Sequence, residues 1–116
     1  MTDGRLINTM LLDFYGELLT DKQRECFDLH YNEDLSLSEI AEQCGISRQG
    51  VWDNIRRAEA AMREIEEKTG LIRRFSELEN GLDRLRESVS ELAEITDGRA
   101  GELARAALHE IETLRG

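Results

Sequence analysis

Two helix-start signals, Ser36 and Ser47, stand on either side of a glycine, Gly45. Ser36-Leu37-Ser38-Glu39 is a capping box: the serine hydroxyl accepts the amide of the glutamate, whose carboxylate reaches back to the serine N–H. Gly45 supplies a backbone with positive φ for a tight turn at no steric cost. Ser47 caps the next helix. Ala41, Gly45 and Val51 lie four and six residues apart. That is helix-turn-helix spacing: small Ala41 lets the helices approach, Gly45 makes the turn, and Val51 packs the second helix on the first.

The rest of the chain agrees with an all-α fold. It has 116 residues, no proline, 5% aromatic and 34% charged residues, a length that suits one small domain with an appendage. The periodicity predicts a first helix over about 5–19, with Leu6, Ile7, Met10, Leu11, Phe14 and Leu18 on one face. A capping box at Thr20-Asp21-Lys22-Gln23 opens a second, over 21–31, burying Cys26, Phe27 and His30 or Tyr31. The short helix after Ser36 turns Leu37, Ile40, Ala41 and Cys44 inward. The helix after Ser47 runs over about 48–68, with Val51, Ile55, Ala58, Met62 and Ile65 on its apolar face, and Gly70 breaks or kinks it.

From Leu71 the pattern becomes heptad-like: Leu71, Phe75, Leu78, Leu82, Leu85, Val89 and Leu92 alternate spacings of four and three. Thr96-Asp97-Gly98 interrupts it, and a last helix over about 99–114 carries Leu103, Ala107, Ile111 and Leu114. The chain therefore divides into a helix-turn-helix domain, 1–70, and a helical tail, 71–116. Two packings fit the tail. One is a hairpin of Leu78, Leu82, Leu85 and Val89 against the last helix. The other is a homodimer seam through Leu78, Leu82, Leu85, Val89 and Leu92. The seam outruns the last helix, and a symmetric pair suits a helix-turn-helix, so the expectation is a dimer.

The formal net charge is −10, which excludes a protein that coats DNA by charge alone. The balance is uneven. Residues 1–45 hold 10 acids and 3 bases, 46–75 hold 5 and 7, and 76–116 hold 10 and 5. The basic segment contains the second helix of the motif. Arg48, Trp52 and Arg56 follow one another by single turns, away from Val51 and Ile55, with Gln49, Asp53 and Arg57 beside them. Arginine and glutamine bond base edges or phosphates, and tryptophan stacks on a base or fills a partner's pocket. Asp53 would repel phosphate. The expected nucleic-acid contacts are Arg48, Gln49, Trp52, Arg56 and Arg57. A solvated helix face is the plainer alternative.

Other chemistries find little support. Cys26, His30 and Cys44 lack metal-site spacing, so no metal is expected. Carboxylate pairs such as Glu77 and Glu79 lie two apart and do not face each other on a helix. No phosphate loop, nucleophile elbow or zinc-protease motif occurs, so neither catalysis nor a cofactor is expected. Met1–Asn8 shows no signal peptide, and no apolar run reaches the roughly 18 residues of a membrane span. Two cysteines make no disulfide framework, so the expected location is the cytoplasm with reduced thiols and no membrane contact.

The strings Leu12-Asp13-Phe14-Tyr15, Leu18-Leu19-Thr20-Asp21-Lys22-Gln23-Arg24, Leu35-Ser36-Leu37-Ser38-Glu39-Ile40-Ala41-Glu42 and Ile46-Ser47-Arg48-Gln49-Gly50-Val51-Trp52-Asp53-Asn54-Ile55-Arg56-Arg57 resemble the YlxM family. These are small bacterial helix-turn-helix proteins similar to region 4 of sigma factors. The likeness covers about residues 10–75, with Gly50 where the family usually has Ala and Trp52 where it usually has Tyr. It implies an all-α, sigma-region-4-like fold and a regulatory role binding nucleic acid, either DNA or the RNA of the signal recognition particle. It also implies a link to that particle's GTPase as a partner.

Overall fold

Each of these three capping residues makes its predicted contact in the computed structural model, which describes residues 4–115. Thr20 Oγ1 accepts from Gln23 N at 3.2 Å, Ser36 Oγ from Glu39 N at 3.1 Å and Ser47 Oγ from Gly50 N at 3.0 Å. In the two boxes the return bond is also made, from Thr20 N to Gln23 Oε1 and from Ser36 N to Glu39 Oε1. The helices are α1 (Gly4–Tyr15), α2 (Asp21–Tyr31), α3 (Leu37–Cys44), α4 (Arg48–Thr69), α5 (Leu71–Ile95) and α6 (Gly98–Arg115), with a 3₁₀ turn at Gly16–Leu18. The fold is all-α, with no strand among the described residues. The reading of Met1–Asn8 as free of a signal peptide rests partly on residues outside those described.

Contacts divide the chain into two compact units, one closing at Ile72 and the other opening at Arg73. In the first, Leu11, Tyr15, Cys26, Phe27, Ile40, Val51, Ile55, Ala58, Met62 and Ile72 form one buried cluster. Phe27 and Tyr31 add a tilted ring contact at 4.7 Å. His30 and Tyr31 are both half-buried, so neither alone completes the inward face of α2.

The first helix corrects the expected face. It gives way to the 3₁₀ turn after Tyr15 instead of running to Leu19. It buries Asn8, Leu11 and Tyr15, while Leu6, Phe14 and Leu18 are exposed. The rotation has a polar cause. The Tyr15 phenol lies 2.6 Å from Glu66 Oε1 and 2.7 Å from Thr69 Oγ1. Glu66 Oε1 also accepts from Ile72 N at 2.9 Å, capping the first turn of α5. The end of α4 and the start of α5 are thereby tied to α1 through one hydroxyl. Gly70 ends α4 with φ of 64°, the left-handed conformation common after a helix.

In the second unit α6 folds back along the 73–95 part of α5. Gly101, Ala104 and Ile111 are buried. Arg115 pairs with Asp83 and Glu79, and Arg86 with Glu112 at 3.7 Å. The heptad seam is split. Leu82 and Val89 are half-buried on the side of α6, whereas Leu78, Leu85 and Leu92 are 66%, 51% and 48% exposed. A hairpin thus draws in Leu82 and Val89 alone of the five seam residues and leaves Leu78, Leu85 and Leu92 exposed.

Candidate nucleic-acid interface

The helix-turn-helix is built as its residues dictate. Gly45 closes α3 at φ 69°, and the Ala41 carbonyl accepts from both Gly45 N (3.0 Å) and Ile46 N (3.2 Å). Val51 and Ile40 are fully buried, and Ala41 is half-buried. These contacts fix α4 against α3 and leave one face of α4 outward. Arg48, Gln49, Trp52, Arg56 and Arg57 are all exposed on α4. The five predicted contact residues therefore lie within three turns of one helix.

The face has internal order. The Arg56 guanidinium carbon sits 5.9 Å from the Trp52 ring centroid, a cation–π distance. Gln49 Nε2 donates to Asp53 Oδ1 at 3.2 Å, so the acid expected to repel phosphate also orients the amide. Asn54 donates to the Gly50 carbonyl at 2.8 Å and is turned back onto the helix. Trp52 is 41% exposed, and with Arg48, Gln49 and Leu37 it lines a cleft of about 440 Å³. Leu37 was expected only as a core residue. Its place in the cleft depends on how the start of α3 meets the start of α4, which no spacing within either helix reveals.

Exposed acids occur on both helices of the motif. Glu39 and Glu42 lie on α3 and Asp53 on α4. Hydrogen bonds from the Ser36 backbone and side chain hold the Glu39 carboxyl below its ordinary range, so it is charged at neutral pH.

The cysteine group has a different character. Burial first, and then the adjacent Glu25 carboxylate, push the Cys44 thiol up to about 11. Its Sγ–H donates to Glu25 Oε1 at 2.7 Å. Burial also raises Cys26, which lies against Cys44. Both are protonated at neutral pH, which suits packing and not thiolate ligation. His30 Nδ1 lies 3.3 Å from the Leu35 carbonyl, so its ring is engaged within the fold. Among the described residues no three His, Cys, Asp or Glu side chains gather as a metal site. No helix of the described residues is long and apolar enough to cross a membrane.

Comparison with known proteins agrees with this architecture. Residues 2–100 match the family described as "Putative helix-turn-helix protein, YlxM / p13 like". The UPF0122 protein of Thermoanaerobacter sp. (strain X514) is 49% identical over 94 residues, covering 81% of this chain and 80% of the relative. The UPF0122 protein of Halalkalibacterium halodurans is 42% identical over 114 residues, covering 98% and 99%. That of Acetivibrio thermocellus is 55% identical over 71 residues, 61% of each chain. With its two capped helices, its αL turn at Gly45 and this match along most of its length, the chain belongs to the YlxM / p13-like family of helix-turn-helix proteins.

Proposed function

We propose that this protein is a non-enzymatic regulator that binds nucleic acid through the outward face of α4, and that it acts in the signal recognition particle pathway, as its likeness to YlxM implies. The observation that carries the binding reading is the joint exposure of Arg48, Gln49, Trp52, Arg56 and Arg57 on α4, in the net-basic part of an acidic chain. Arginine supplies charge-assisted bonds to phosphate, and Gln49 and Trp52 add selectivity. The net charge of −10 makes binding weak and salt-sensitive for a single copy. A second copy would raise it by avidity.

The tail supports such pairing. The helical period sets Leu78, Leu85 and Leu92 on the side of the hairpin away from the Arg115–Asp83 and Arg86–Glu112 pairs, and Leu103 and Leu114 on that same side. Two such faces from two copies would close a four-helix bundle, in place of the two-stranded seam expected from sequence.

The test is binding of labelled RNA and DNA by Arg48→Ala with Arg56→Ala. Both side chains are exposed, so the melting temperature stays put. Affinity falls by tenfold or more, and the slope of log affinity against log salt shrinks by about 1.5. Unchanged binding removes the face from the mechanism. A second reading rests on Asp53, Glu39 and Glu42: exposed acids on the two helices of the motif complement a basic protein surface, that of the pathway's GTPase. In that case capture of the GTPase from lysate survives nuclease treatment.

A further inference from the structure

The cleft at the start of α4 is a shallow, open depression that takes its lining from two helices. Trp52 contributes an indole, Leu37 an aliphatic wall from the start of α3, and Arg48 and Gln49 polar groups at the mouth. Arg56 approaches the indole from one turn beyond it, and the cleft residues of α4 come from one turn before. Gln49 spends one N–H on Asp53, which leaves its carbonyl oxygen and a second N–H for a ligand. An aromatic platform, an apolar wall, an oriented amide and a guanidinium match a planar heteroaromatic ring attached to a phosphate.

The surroundings decide which form of nucleic acid presents that ring. When a helix-turn-helix docks in a major groove, its first helix crosses the phosphate backbone. Here that helix is α3, and it exposes Glu39 and Glu42; Asp53 lies beside Trp52 on the helix that would enter the groove. A duplex would bring two phosphate strands against these carboxylates. An unpaired nucleotide brings one base and few phosphates, and Arg48, in the lining of the cleft, is there to meet them.

We infer that the Leu37–Trp52 cleft is a stacking slot for an unpaired base, so that the ligand of this face is a looped or single-stranded nucleic acid and not a duplex groove. This inference rests on the nucleic-acid reading above and narrows it.

The chain has one tryptophan, so intrinsic fluorescence reports directly on the slot. The protein is titrated with an RNA hairpin carrying an adenine-rich loop, the same hairpin with abasic loop positions, and a fully paired duplex with the same number of phosphates. The DNA counterparts of all three separate ribose from deoxyribose. The expected result is quenching by the looped hairpin alone, with the abasic and duplex probes binding about tenfold or more weakly. By anisotropy of a labelled hairpin, Trp52→Leu loses about 5- to 150-fold, the range for one base–aromatic stack. Trp52→Phe keeps most of the affinity, and circular dichroism melts of both variants match the parent. Equal or tighter binding of the duplex, or full affinity in Trp52→Leu, overturns the slot while leaving nucleic-acid binding intact. Failure of every probe to bind overturns both.

Discussion

At the scale of single residues, Cys44 shows how a local contact becomes a property of the whole equilibrium. It lies at the end of α3, and its thiol donates to Glu25 on α2. A thiol ordinarily titrates near 9.0, but this one is pushed up to about 11, by burial first and then by the carboxylate. The unfolded chain therefore releases this proton at a lower pH than the folded one. The contribution is complete below pH 9 and is lost as pH rises towards 11. Cys26 and Tyr15, both raised by burial, act in the same direction. Urea melts across pH 8 to pH 11 should show stability falling through that window, and Cys44→Ala should flatten part of the fall. An identical pH profile in the variant would remove Cys44 as a source. The sequence marks Cys44 as inward-facing, because its period with Ile40 and Ala41 is local. Glu25 as its partner is not legible, because it comes from another helix. The same limit hid the bonds of Tyr15 to Glu66 and Thr69, which turn α1 away from its most apolar face.

At the scale of elements, the legible parts are those whose signals sit within a few residues. The starts of α2, α3 and α4 follow from Thr20, Ser36 and Ser47, and each cap is made as read. The end of α3 follows from Gly45. A Cβ at Gly45 would meet nothing within 4 Å, so the cost of Gly45→Ala is conformational alone, about 1–2 kcal/mol for φ near +69°. Gly45→Asn should restore much of it, since asparagine tolerates the left-handed region. Chemical denaturation with unchanged m-values would check both. If Gly45→Ala costs nothing, the turn must relax to another backbone. Less legible was the division of labour along α5. One heptad stripe serves two faces there, and period alone does not say which leucines meet α6.

At the scale of the whole molecule, the apolar side of the hairpin carries the prediction about assembly. Leu78→Glu with Leu85→Glu alters only exposed side chains, so sedimentation should report a folded monomer where the parent sediments as a dimer. Leu82 is unsuited to this test, because it is half-buried within the hairpin. A parent that sediments as a monomer, or a variant that stays dimeric, would place the partner surface elsewhere. The change of period at Leu71 lies close to the break between the two compact units at Ile72 and Arg73, and the exposure of Arg48, Gln49, Trp52, Arg56 and Arg57 was legible from their register on one helix. The cleft was not, because it exists only once α3 and α4 are folded together. The distance along the chain from the cap of α3 to the cap of α4 has one more consequence. A single residue inserted between Ser36 and Gly45 would advance the turn by about 100° around α3. Val51 would then lose its place in the buried cluster it shares with Ile40, and Trp52 would swing out of line with Leu37. This stretch is thus a fixed-length ruler: exposed side chains that make no cap, such as Ser38 and Gln43, are free to change, but the number of residues in it is not.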